Sequence, residues 1–592
     1  MSTAVEARAV PTAGAPATLP AMLLRHASSR AKDVALRVKR FGRWEEITWG
    51  EYGARAARLG LGLRELGVAA GDKVAVLAEN RPEWLFADLG AQGIGAITVG
   101  VYPTSSEPEV AHVLADSAAK VVIVEDEEQL DKTLLVRDQL PALRKIIVVD
   151  TRGIRSLADP MTVSLEEVDA LGEHRLRSSP GEWLDAVGGL PGGQDVAIVV
   201  YTSGVSGPPQ GIMLSHANLA AAAAIATTFY GARPDDEVLS YLPLCHVAER
   251  LVSVVVALRA GYIVNFGEGG ESFANDLRDV QPTFFLGVPR VWERLAASVQ
   301  VRMRNASWLK RRSYASWRGR GGPLPWLFLY RSLRQKLGMS RVRVALSGAA
   351  PIAPEVLEYF RSLKIAVREV YGQTENTALA TAAPVDDVRI GTVGRALPGV
   401  EVRVTDDEVL VRSPGNFVGY LGDEAATRAA LVEGWLRTGD LGEIDADGYL
   451  TITGRMKDIL ITGGGLNVSP NKIENLLKVS PFIREVMVIG DRRPYLTALI
   501  GIDGETVAAW AQQHDLPFTT HRDLVEKPEV RHLIETEVAD VNDYIAETEQ
   551  IRGFELIPVD LEEAGALTAT QKVRRRIAAE QFRHLIDRMY AA

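Results

Sequence analysis

The sequence predicts an α/β protein that has a large N-terminal part built on a parallel sheet and a smaller, separate C-terminal domain. Short apolar runs alternate with helical patterns over the first 200 residues, and this alternation is typical of parallel strands with helices on both faces of the sheet. A loop-like stretch, GRMKDILITGGG at 454–465, interrupts the pattern. A fresh alternation then fills about 135 residues, which is close to the usual size of a domain.

Each element of this fold follows from a local pattern of apolar residues. In the N-terminal part we predict four strands, at Val74–Ala78, Ala96–Val101, Val121–Val124 and Ile146–Val149. Two helices lie between them along the chain, at Pro82–Ala91 and Val110–Ala118. In the C-terminal part we predict a helix at Ile473–Leu477 and strands at Val486–Ile489 and Ala498–Ile502. Ligands of such parallel sheets bind beyond the carboxyl ends of the strands, so we expect the site there.

Composition restricts the class of protein. The chain of 592 residues is 47% hydrophobic and 24% charged, as in an ordinary globular protein, and its net charge of −10 argues against nucleic acid as a partner. One cysteine, Cys245, excludes a disulfide within the chain. Residues 1–20 are rich in Ala, Pro and Thr and do not resemble a secretory signal, so we expect a flexible tail and a cytoplasmic protein.

The segment Met303–Gly338 differs from the rest of the chain. It carries many Arg and Lys residues, three tryptophans and no acidic residue. Basic residues mixed with tryptophan can form a patch that contacts a membrane surface, which would place the protein at the membrane periphery. The alternative is a solvated pair of helices whose aromatic side chains anchor on the body of the protein, and we favour this second interpretation.

The stretch YTSGVSGPPQGIMLSH, at 201–216, is the strongest functional signal. It lies between two apolar runs of strand character and combines glycines with hydroxyls; these residues are Thr202, Ser203, Gly204, Ser206, Gly207 and Gly211. Glycines allow the backbone to approach a bulky anion, and hydroxyls add donors to phosphate oxygens. The pattern therefore favours a phosphate-binding loop, although it is not the GxxxxGK pattern, and an ordinary turn is the alternative.

Four further stretches could carry chemistry, although each alone is a weak signal. LSGAAPI at 346–352 offers small side chains against which a flat ligand can lie, and YGQTE at 371–375 combines an aromatic ring, a hydroxyl and a carboxylate. A carboxylate oxygen such as that of Glu375 suits magnesium. GWLRTGDLG at 434–442 contains Asp440, which can accept hydrogen bonds from a ribose diol, and Gly454-Arg455 follows it.

Taken together and in this order, the motifs resemble those of the adenylate-forming enzymes, which include acyl-CoA synthetases, peptide synthetase adenylation domains and luciferases. The resemblance spans roughly residues 40 to 585. The first loop departs from the family form YTSGTTG-x-PKG, because Val205 and Ser206 replace two threonines and Gln210 replaces a lysine. YLPLCHVAER at 241–250 and VPRVWER at 288–294 resemble the long-chain and bubblegum-type synthetases.

The resemblance implies a role for each matching residue. It implies that the loop residues with Gln210 bind phosphates, and that Glu375 and Thr202 bind magnesium. The implied adenine pocket and its neighbouring motif comprise Gly348, Ala349, Ala350, Tyr371, Gly372, Gln373 and Thr374. The implied ribose and phosphate ligands are Asp440 and Arg455. The implied hinge is Lys457, the implied thiol channel is lined by Gly464 and Gly465, and the implied closing lysine is Lys572. The implied acyl pocket is bordered by His246 and Val288. From the sequence alone, His246 could equally be a satisfied core histidine.

The resemblance also implies an architecture and a reaction. The expected N-terminal adenylation domain is 21–456, with parallel and mixed sheets, helices and a distorted β-barrel subdomain, and the expected mobile α+β C-terminal domain is 457–592. The expected reaction uses ATP, Mg²⁺ and coenzyme A to convert a long-chain fatty acid into its thioester through acyl-AMP. Two alternatives remain: an acyl-AMP ligase that loads a carrier protein, and a weakened nucleotide- or acyl-binding homologue, which Val205 and Gln210 motivate.

Overall fold

The computed structural model describes residues 18–154, 159–190, 192–202, 208–304, 307–317, 322–559, 561, 564–567 and 573–591. Its largest sheet has eight strands, in the order Gly419–Tyr420, Gly211–Ser215, Val196–Tyr201, Ile97–Val101, Lys73–Leu77, Val121–Val124, Lys145–Val148 and Thr162–Ser164. The last six strands of this order run parallel, and the first two pair antiparallel. This sheet forms the centre of the N-terminal part.

Alternate residues of the central strands face opposite sides of this sheet, so both faces are covered by helices. Val74 and Val76 join the core beneath helices Trp49–Glu65 and Pro82–Gly93, whereas Ala75 and Leu77 join a second core beneath helices Glu107–Asp116 and Glu127–Val136. Burial of nearly continuous Val, Ile and Leu runs is what a two-sided parallel sheet requires. The carboxyl edge of the sheet carries the loop that follows Tyr201.

Two smaller sheets extend the N-terminal part. One has the order Phe284–Gly287, Val344–Ser347, Val367–Tyr371, Thr381–Ala382 and Arg395–Ala396, with its first three strands parallel. The other has the order Glu237–Ser240, Ile263–Phe266, Val34–Arg40 and Arg43–Thr48. The first of these sheets positions the site, because its strand Val367–Tyr371 leads directly into the YGQTE motif.

A curled antiparallel sheet completes the N-terminal part. Its strands are Glu401–Thr405, Glu408–Arg412, Trp435–Ile444, Leu431–Val432 and Leu450–Arg455. The chain then forms a smaller C-terminal domain with strands Ile483–Ile489, Leu496–Ile502 and Ile551–Leu556 and a short hairpin, Leu460–Ile461 with Asn467–Val468. The expected α/β fold class, with a half-barrel-like sheet and a smaller α+β domain, is therefore confirmed.

The longer helices not yet given belong to two groups. In the N-terminal part they are Leu19–Ser29, Leu165–Ser178, Glu182–Gly188, His216–Tyr230, Phe273–Val280, Pro289–Arg304, Trp308–Trp317, Arg331–Lys336, Pro354–Ser362 and Glu424–Ala430. In the C-terminal domain they are Pro470–Leu477, Gly504–Gln513, His521–Val525, Pro528–Asn542, Arg575–Gln581 and Arg583–Tyr590. Along the described part of the chain, no helix combines the length and the apolar character that crossing a bilayer needs.

The basic segment agrees only in part with the interpretation that we favoured, in which its aromatic side chains anchor on the body of the protein. Trp308 and Trp326 are 62% and 44% exposed, so these rings do not anchor on the body of the protein. The buried contacts of the segment come instead from Leu329, Tyr330 and Leu333, which belong to a core cluster. Tyr314 and Trp317 also pack, partly buried, against this cluster. The favoured interpretation is therefore confirmed for these aromatic side chains and wrong for Trp308 and Trp326.

Cys245 lies deep in the N-terminal part. Its side chain is 2% exposed, and a Cβ placed on Gly100 of the central sheet would come within 2.7 Å of it. Burial raises the pKa of the thiol far above its ordinary value. The one cysteine of the chain is therefore a buried, protonated packing group.

Candidate active site

Three sequence motifs meet at the carboxylate of Asp440. Tyr371 donates its hydroxyl hydrogen to Oδ2 of Asp440 over 2.7 Å, and Nε2 of Gln373 donates to the same oxygen over 2.6 Å. Nε of Arg455 donates to Oδ1 over 2.7 Å. The Asp440 side chain is only 4% exposed, whereas that of Arg455 is 52% exposed. The guanidinium therefore retains an open face that can meet a phosphate while its Nε is held by Asp440.

Backbone pairing explains why these residues meet. Asp440 and Arg455 are direct partners in the antiparallel pair formed by strands Trp435–Ile444 and Leu450–Arg455. Directly opposed side chains on one face lie close enough to interact. Tyr371 ends a strand of the neighbouring sheet. The fifteen-residue spacing from the TGD motif to the GR pair is thus the length of one hairpin. Because this hairpin folds back on itself, Asp440 and Arg455 are in contact although they are fifteen residues apart.

Glu375 lies beside this cluster, in the 3₁₀ turn Thr374–Asn376. Its Oε1 accepts a hydrogen bond from the hydroxyl of Tyr420 over 3.0 Å. Burial raises the pKa of this carboxyl above its ordinary value. The next two residues after the turn, Thr377 and Ala378, adopt left-handed backbone conformations with φ of 54° and 60°. Such conformations are uncommon outside glycine and concentrate at functional sites.

The residues fit magnesium of the kind that arrives with a nucleotide. Among the described residues, no group of three or more His, Cys, Asp or Glu side chains could enclose a metal ion. Mg²⁺ is commonly held by one or two carboxylates together with substrate phosphates and water. Glu375 supplies one carboxylate, and the hydroxyl of Thr202 is the second predicted ligand. This donor set suits a hydrated Mg²⁺–ATP complex and does not suit a resident metal enclosed by protein.

The described ends of the phosphate-loop motif form the base of a hairpin. Thr202 N–H donates to the carbonyl of Gln210 over 3.2 Å, and Gln210 N–H donates to Oγ1 of Thr202 over 3.3 Å. Gly211 pairs with Tyr201 in the antiparallel register. The predicted ligands at the tip of the loop lie outside the described residues; they are Ser203, Gly204, Ser206 and Gly207, together with the substituted Val205. The Gln210 side chain is half-buried beside this base.

A direct connection links this hairpin to Glu375. Strand Gly419–Tyr420 pairs with the strand that leaves the loop, so Tyr420 lies opposite Ile212. The same Tyr420 donates its hydroxyl hydrogen to Glu375. The strand that leaves the predicted phosphate loop is therefore connected to Glu375, the predicted magnesium ligand, through the side chain of Tyr420. The sequence did not reveal this role, because Tyr420 belongs to no motif.

The predicted adenine loop packs against the strand that carries Tyr371. A Cβ on Gly348 would lie 2.7 Å from Cγ2 of Val370, so this position has no room for a side chain. Ala349, which is exposed, has a left-handed backbone with φ of 69°, and Ala350 is exposed beside it. A Cβ on Gly372 would lie 2.2 Å from the backbone of Ala378. Glycine is thus required sterically at 348 and 372, and the two alanines present a small surface to solvent.

The predicted residues of the C-terminal domain are more dispersed. Lys457 is exposed in the 3₁₀ turn Met456–Asp458, just after the strand that ends at Arg455. Gly464 and Gly465 form the exposed turn of the short hairpin, where Gly465 has φ of 79°. Within the described hydrogen bonds, none joins either glycine to Asp440. Lys572 lies outside the described residues.

Among the described residues, two ion pairs join the C-terminal domain to the N-terminal part. Arg574, two residues after Lys572, contacts the carboxylate of Glu109. Glu109 helps to line a small cleft together with Tyr201, Thr202 and Pro209, which are residues of the phosphate-loop hairpin. The second pair joins Arg290 to Glu485. The C-terminal segment that precedes the last helices is thus held at the side of the N-terminal part that carries the phosphate-loop motif.

His246 and Val288, the predicted acyl-pocket residues, flank different elements. Nδ1 of His246 accepts the N–H of Ala248 over 3.2 Å and so caps the short helix Val247–Arg250. Val288 is half-buried between strand Phe284–Gly287 and helix Pro289–Arg304. The capping bond shows that His246 also has a structural role, which the sequence left open.

Sequence reasoning missed two buried acids near His246. Glu249 accepts hydrogen bonds from the hydroxyls of Ser240 and Ser253, and burial raises its pKa to about 7. Asp88 pairs with Arg250, and both side chains are at most 1% exposed. The sequence signal that could have revealed this buried pair of charged residues was Glu249 followed directly by Arg250 in an otherwise apolar helix.

Comparison with known proteins agrees with this geometry. The AMP-binding enzyme family model matches residues 23–421, and the AMP-binding enzyme C-terminal domain model matches residues 457–592. The chain belongs to the family of AMP-binding enzymes. This adenylate-forming family is the one that the motifs resembled.

Relatives within the AMP-binding enzymes align along nearly the whole chain. The chain is 34% identical to the long-chain-fatty-acid–CoA ligase FadD15 of Mycobacterium bovis, over 93% of each protein. It is 31% identical to human long-chain-fatty-acid–CoA ligase ACSBG1, over 94% of this chain and 83% of that protein. The A domain of carboxylic acid reductase from Segniliparus rugosus shares the fold, with a TM-score of 0.74, 20% identity and coverage of 98% and 95%.

Proposed function

We propose that this chain is an AMP-forming long-chain fatty acid–CoA ligase that uses ATP, Mg²⁺ and coenzyme A. The observation that carries the proposal is the alignment over 93% of both lengths with a relative named as a long-chain-fatty-acid–CoA ligase. The convergence of Tyr371, Gln373 and Arg455 on Asp440 supports a nucleotide site at the same place as the shared motifs. The domain limits that we propose are 21–456 and 457–592.

In the first half-reaction a fatty carboxylate oxygen attacks the α-phosphorus of ATP. The bond from carboxylate oxygen to phosphorus forms, the bond to the bridging oxygen of the β-phosphate breaks, and pyrophosphate leaves with the electron pair. Bound magnesium would neutralise phosphate charge, and Glu375 is the carboxylate that would hold it. Asp440 would orient the ribose, and Arg455 and Lys572 would offset the charge that develops during attack.

The substrates are held by the remaining predicted residues. Thr202, Gln210 and the loop between them would orient the phosphates that leave. Gly348, Ala349 and Ala350 would lie against the adenine, for which the absence of side chains beyond Cβ leaves room. His246 and Val288 would border the acyl chain.

In the second half-reaction the thiol of coenzyme A attacks the acyl carbon of acyl-AMP. The carbon–sulfur bond forms, the bond from the acyl carbon to the phosphate oxygen breaks, and AMP leaves while the thiol proton passes to solvent or to the leaving phosphate. We propose that the C-terminal domain turns about Lys457 between the two steps and that the loop with Gly464 and Gly465 then lines the thiol channel. The Arg574–Glu109 ion pair supports a role for the neighbouring Lys572 in the first step.

Replacement of Lys572 by alanine tests the assignment. We expect Lys572→Ala to slow fatty-acid-dependent ATP–pyrophosphate exchange by about 100-fold or more, because a preorganised charge at the reacting phosphate is lost. Arg576→Ala, which removes an exposed cation from the next helix, is the control and should leave exchange unchanged. If Lys572→Ala exchanges pyrophosphate as fast as the parent, this residue has no role in adenylation.

A panel of fatty acids tests the function itself. The parent enzyme should release AMP and form acyl-CoA with long-chain acids in preference to short ones. Exchange without acyl-CoA formation would indicate an acyl-AMP ligase that uses a carrier protein. Absence of exchange with every acid would indicate a binding protein and would refute the proposed activity.

A further inference from the structure

One face of helix Glu107–Asp116 lies against the predicted phosphate loop. Glu109, His112 and Asp116 recur at intervals of three and four residues, so their side chains share this face of the helix. Glu109 lines the small cleft beside the loop and contacts Arg574 of the C-terminal domain. The other two residues contact the base of the loop itself. The helix therefore has a place in the site that no motif predicted.

His112 holds the backbone directly before Gln210. Its Nε2 lies 2.8 Å from the carbonyl oxygen of Pro209. Because a carbonyl oxygen only accepts hydrogen bonds, Nε2 carries the hydrogen in this contact and His112 is the donor. The same peptide group carries the N–H of Gln210, which donates to Oγ1 of Thr202 over 3.3 Å. One planar peptide group thus connects the imidazole with the hydroxyl of a predicted magnesium ligand.

This connection determines which parts of the Thr202 hydroxyl are available to a ligand. A hydroxyl oxygen has two lone pairs and one hydrogen. The N–H of Gln210 occupies one lone pair, which leaves the second for Mg²⁺ and the hydrogen for a phosphate oxygen. The hydrogen bond from His112 polarises the peptide group and so strengthens its N–H as a donor to Thr202. His112 therefore orients this hydroxyl through one peptide group.

Asp116 supports the same loop at its entrance. The hydroxyl of Tyr201 donates to Oδ2 of Asp116 over 2.6 Å. The ring of Tyr201 covers Gly211, where an added Cβ would lie 3.1 Å from Cζ of the ring. Tyr201 and Gly211 are cross-strand partners, so this ring closes the base of the hairpin. The helix thus contacts the loop base at two points about one turn apart.

We propose that His112 is a positioning residue for adenylation, which sets the geometry of the phosphate loop for Mg²⁺–ATP through the peptide group between Pro209 and Gln210. The inference rests on the proposed function, in which the loop orients the β- and γ-phosphates. Gln210 supplies no charge, so phosphate binding depends on neutral donors, and neutral hydrogen bonds weaken steeply when they are misaligned. A contact that only stabilised the fold would not distinguish ATP from AMP.

Calorimetric titration of the full chain with Mg²⁺–ATP and with AMP tests this role. His112→Phe keeps an aromatic ring and removes the N–H, so it should weaken Mg²⁺–ATP binding by about five-fold. AMP lacks the β- and γ-phosphates, so its affinity should be unchanged, as should the rate of thioester formation from supplied acyl-AMP. His112→Gln, whose amide can donate to the Pro209 carbonyl, should bring ATP affinity back to within about two-fold of the parent.

A matched control is His174→Phe, which replaces an exposed histidine of helix Leu165–Ser178 and should change neither affinity. Measurement of Tm for each variant establishes that the fold is retained. Unchanged ATP affinity in His112→Phe, equal loss of ATP and AMP affinity, or no recovery in His112→Gln overturns the inference. A parent that binds Mg²⁺–ATP but exchanges no pyrophosphate with any fatty acid refutes the proposed function alone, since the affinity ratios decide the positioning role without turnover.

Discussion

Glu249 should make the stability of the N-terminal part fall as pH rises toward neutrality. Burial raises the pKa of this carboxyl from 4.5 to about 7 in the folded chain. Between those values the folded state binds a proton that the unfolded state has released, so the free energy of unfolding decreases as pH rises. The stabilisation is fully present below about pH 4.5 and is lost as pH passes through about 7.

The size of this effect follows from the same pKa. One pH unit corresponds to about 1.36 kcal/mol, so an interval from 4.5 to about 7 corresponds to about 3 kcal/mol of unfolding free energy. The side chain is 3% exposed, so solvent screening does not reduce this value appreciably. Glu249→Gln cannot ionise and should abolish this contribution. The hydroxyls of Ser240 and Ser253 can still donate to the oxygen that remains.

Urea denaturation at several pH values between about 5 and 8 measures the difference. Other titrating groups are common to parent and variant, so the difference between their two curves isolates Glu249. The parent should lose about 2.5 kcal/mol relative to Glu249→Gln over this range, and Glu424→Gln, at a side chain that is 90% exposed, should follow the parent. Parallel curves for the parent and Glu249→Gln would refute the reasoning.

Three further predictions concern the site. Gln210→Lys restores a charge beside the phosphate loop. Because charge-assisted hydrogen bonds are roughly twice as strong as neutral ones, this substitution should lower the KM for ATP in pyrophosphate exchange. An unchanged KM would show that the missing charge does not affect ATP binding. Asp440→Asn should slow pyrophosphate exchange and lower the free energy of unfolding by about 2 kcal/mol, because it weakens a buried hydrogen-bond network. The control Asp447→Asn, in an exposed ion pair on the same hairpin, should lower the free energy of unfolding by less than about 0.5 kcal/mol. Equal effects of the two substitutions would contradict a central role for Asp440. Arg574→Gln removes the ion pair with Glu109 and should slow adenylation by about five-fold. It should not slow thioester formation from supplied acyl-AMP. Equal slowing of both steps would argue against a role of this ion pair in positioning the C-terminal domain for adenylation.

The sequence predicted the fold well where a single physical pattern dominates. Val121–Val124 is a strand at the predicted limits, because a short run of β-branched residues buried on both faces is typical of a parallel sheet. The helix expected at Pro82–Ala91 is observed at Pro82–Gly93. Two tryptophans of the basic segment, Trp308 and Trp326, were placed wrongly, since helical periodicity does not tell which of several apolar side chains meets the core. There Leu329 is buried and Trp326 is exposed.

The site was predictable only as far as its motifs. Asp440, Arg455 and Tyr371 were found separately, and the structure brings them to one carboxylate through strand pairing that spacing alone does not specify. Tyr420 and Glu249 were missed for a common reason. Each acquires its role from partners distant in the chain, and neither lies in a pattern with a chemical signature of its own.

The burial of Cys245 makes the natural chain suitable for single-label spectroscopy. A thiol that is 2% exposed and protonated does not compete for maleimide reagents, which react with thiolates. A cysteine introduced at an exposed position in each domain would therefore be modified selectively without first removing a native one. Fluorescence energy transfer between two such dyes could then follow the distance between the domains during turnover.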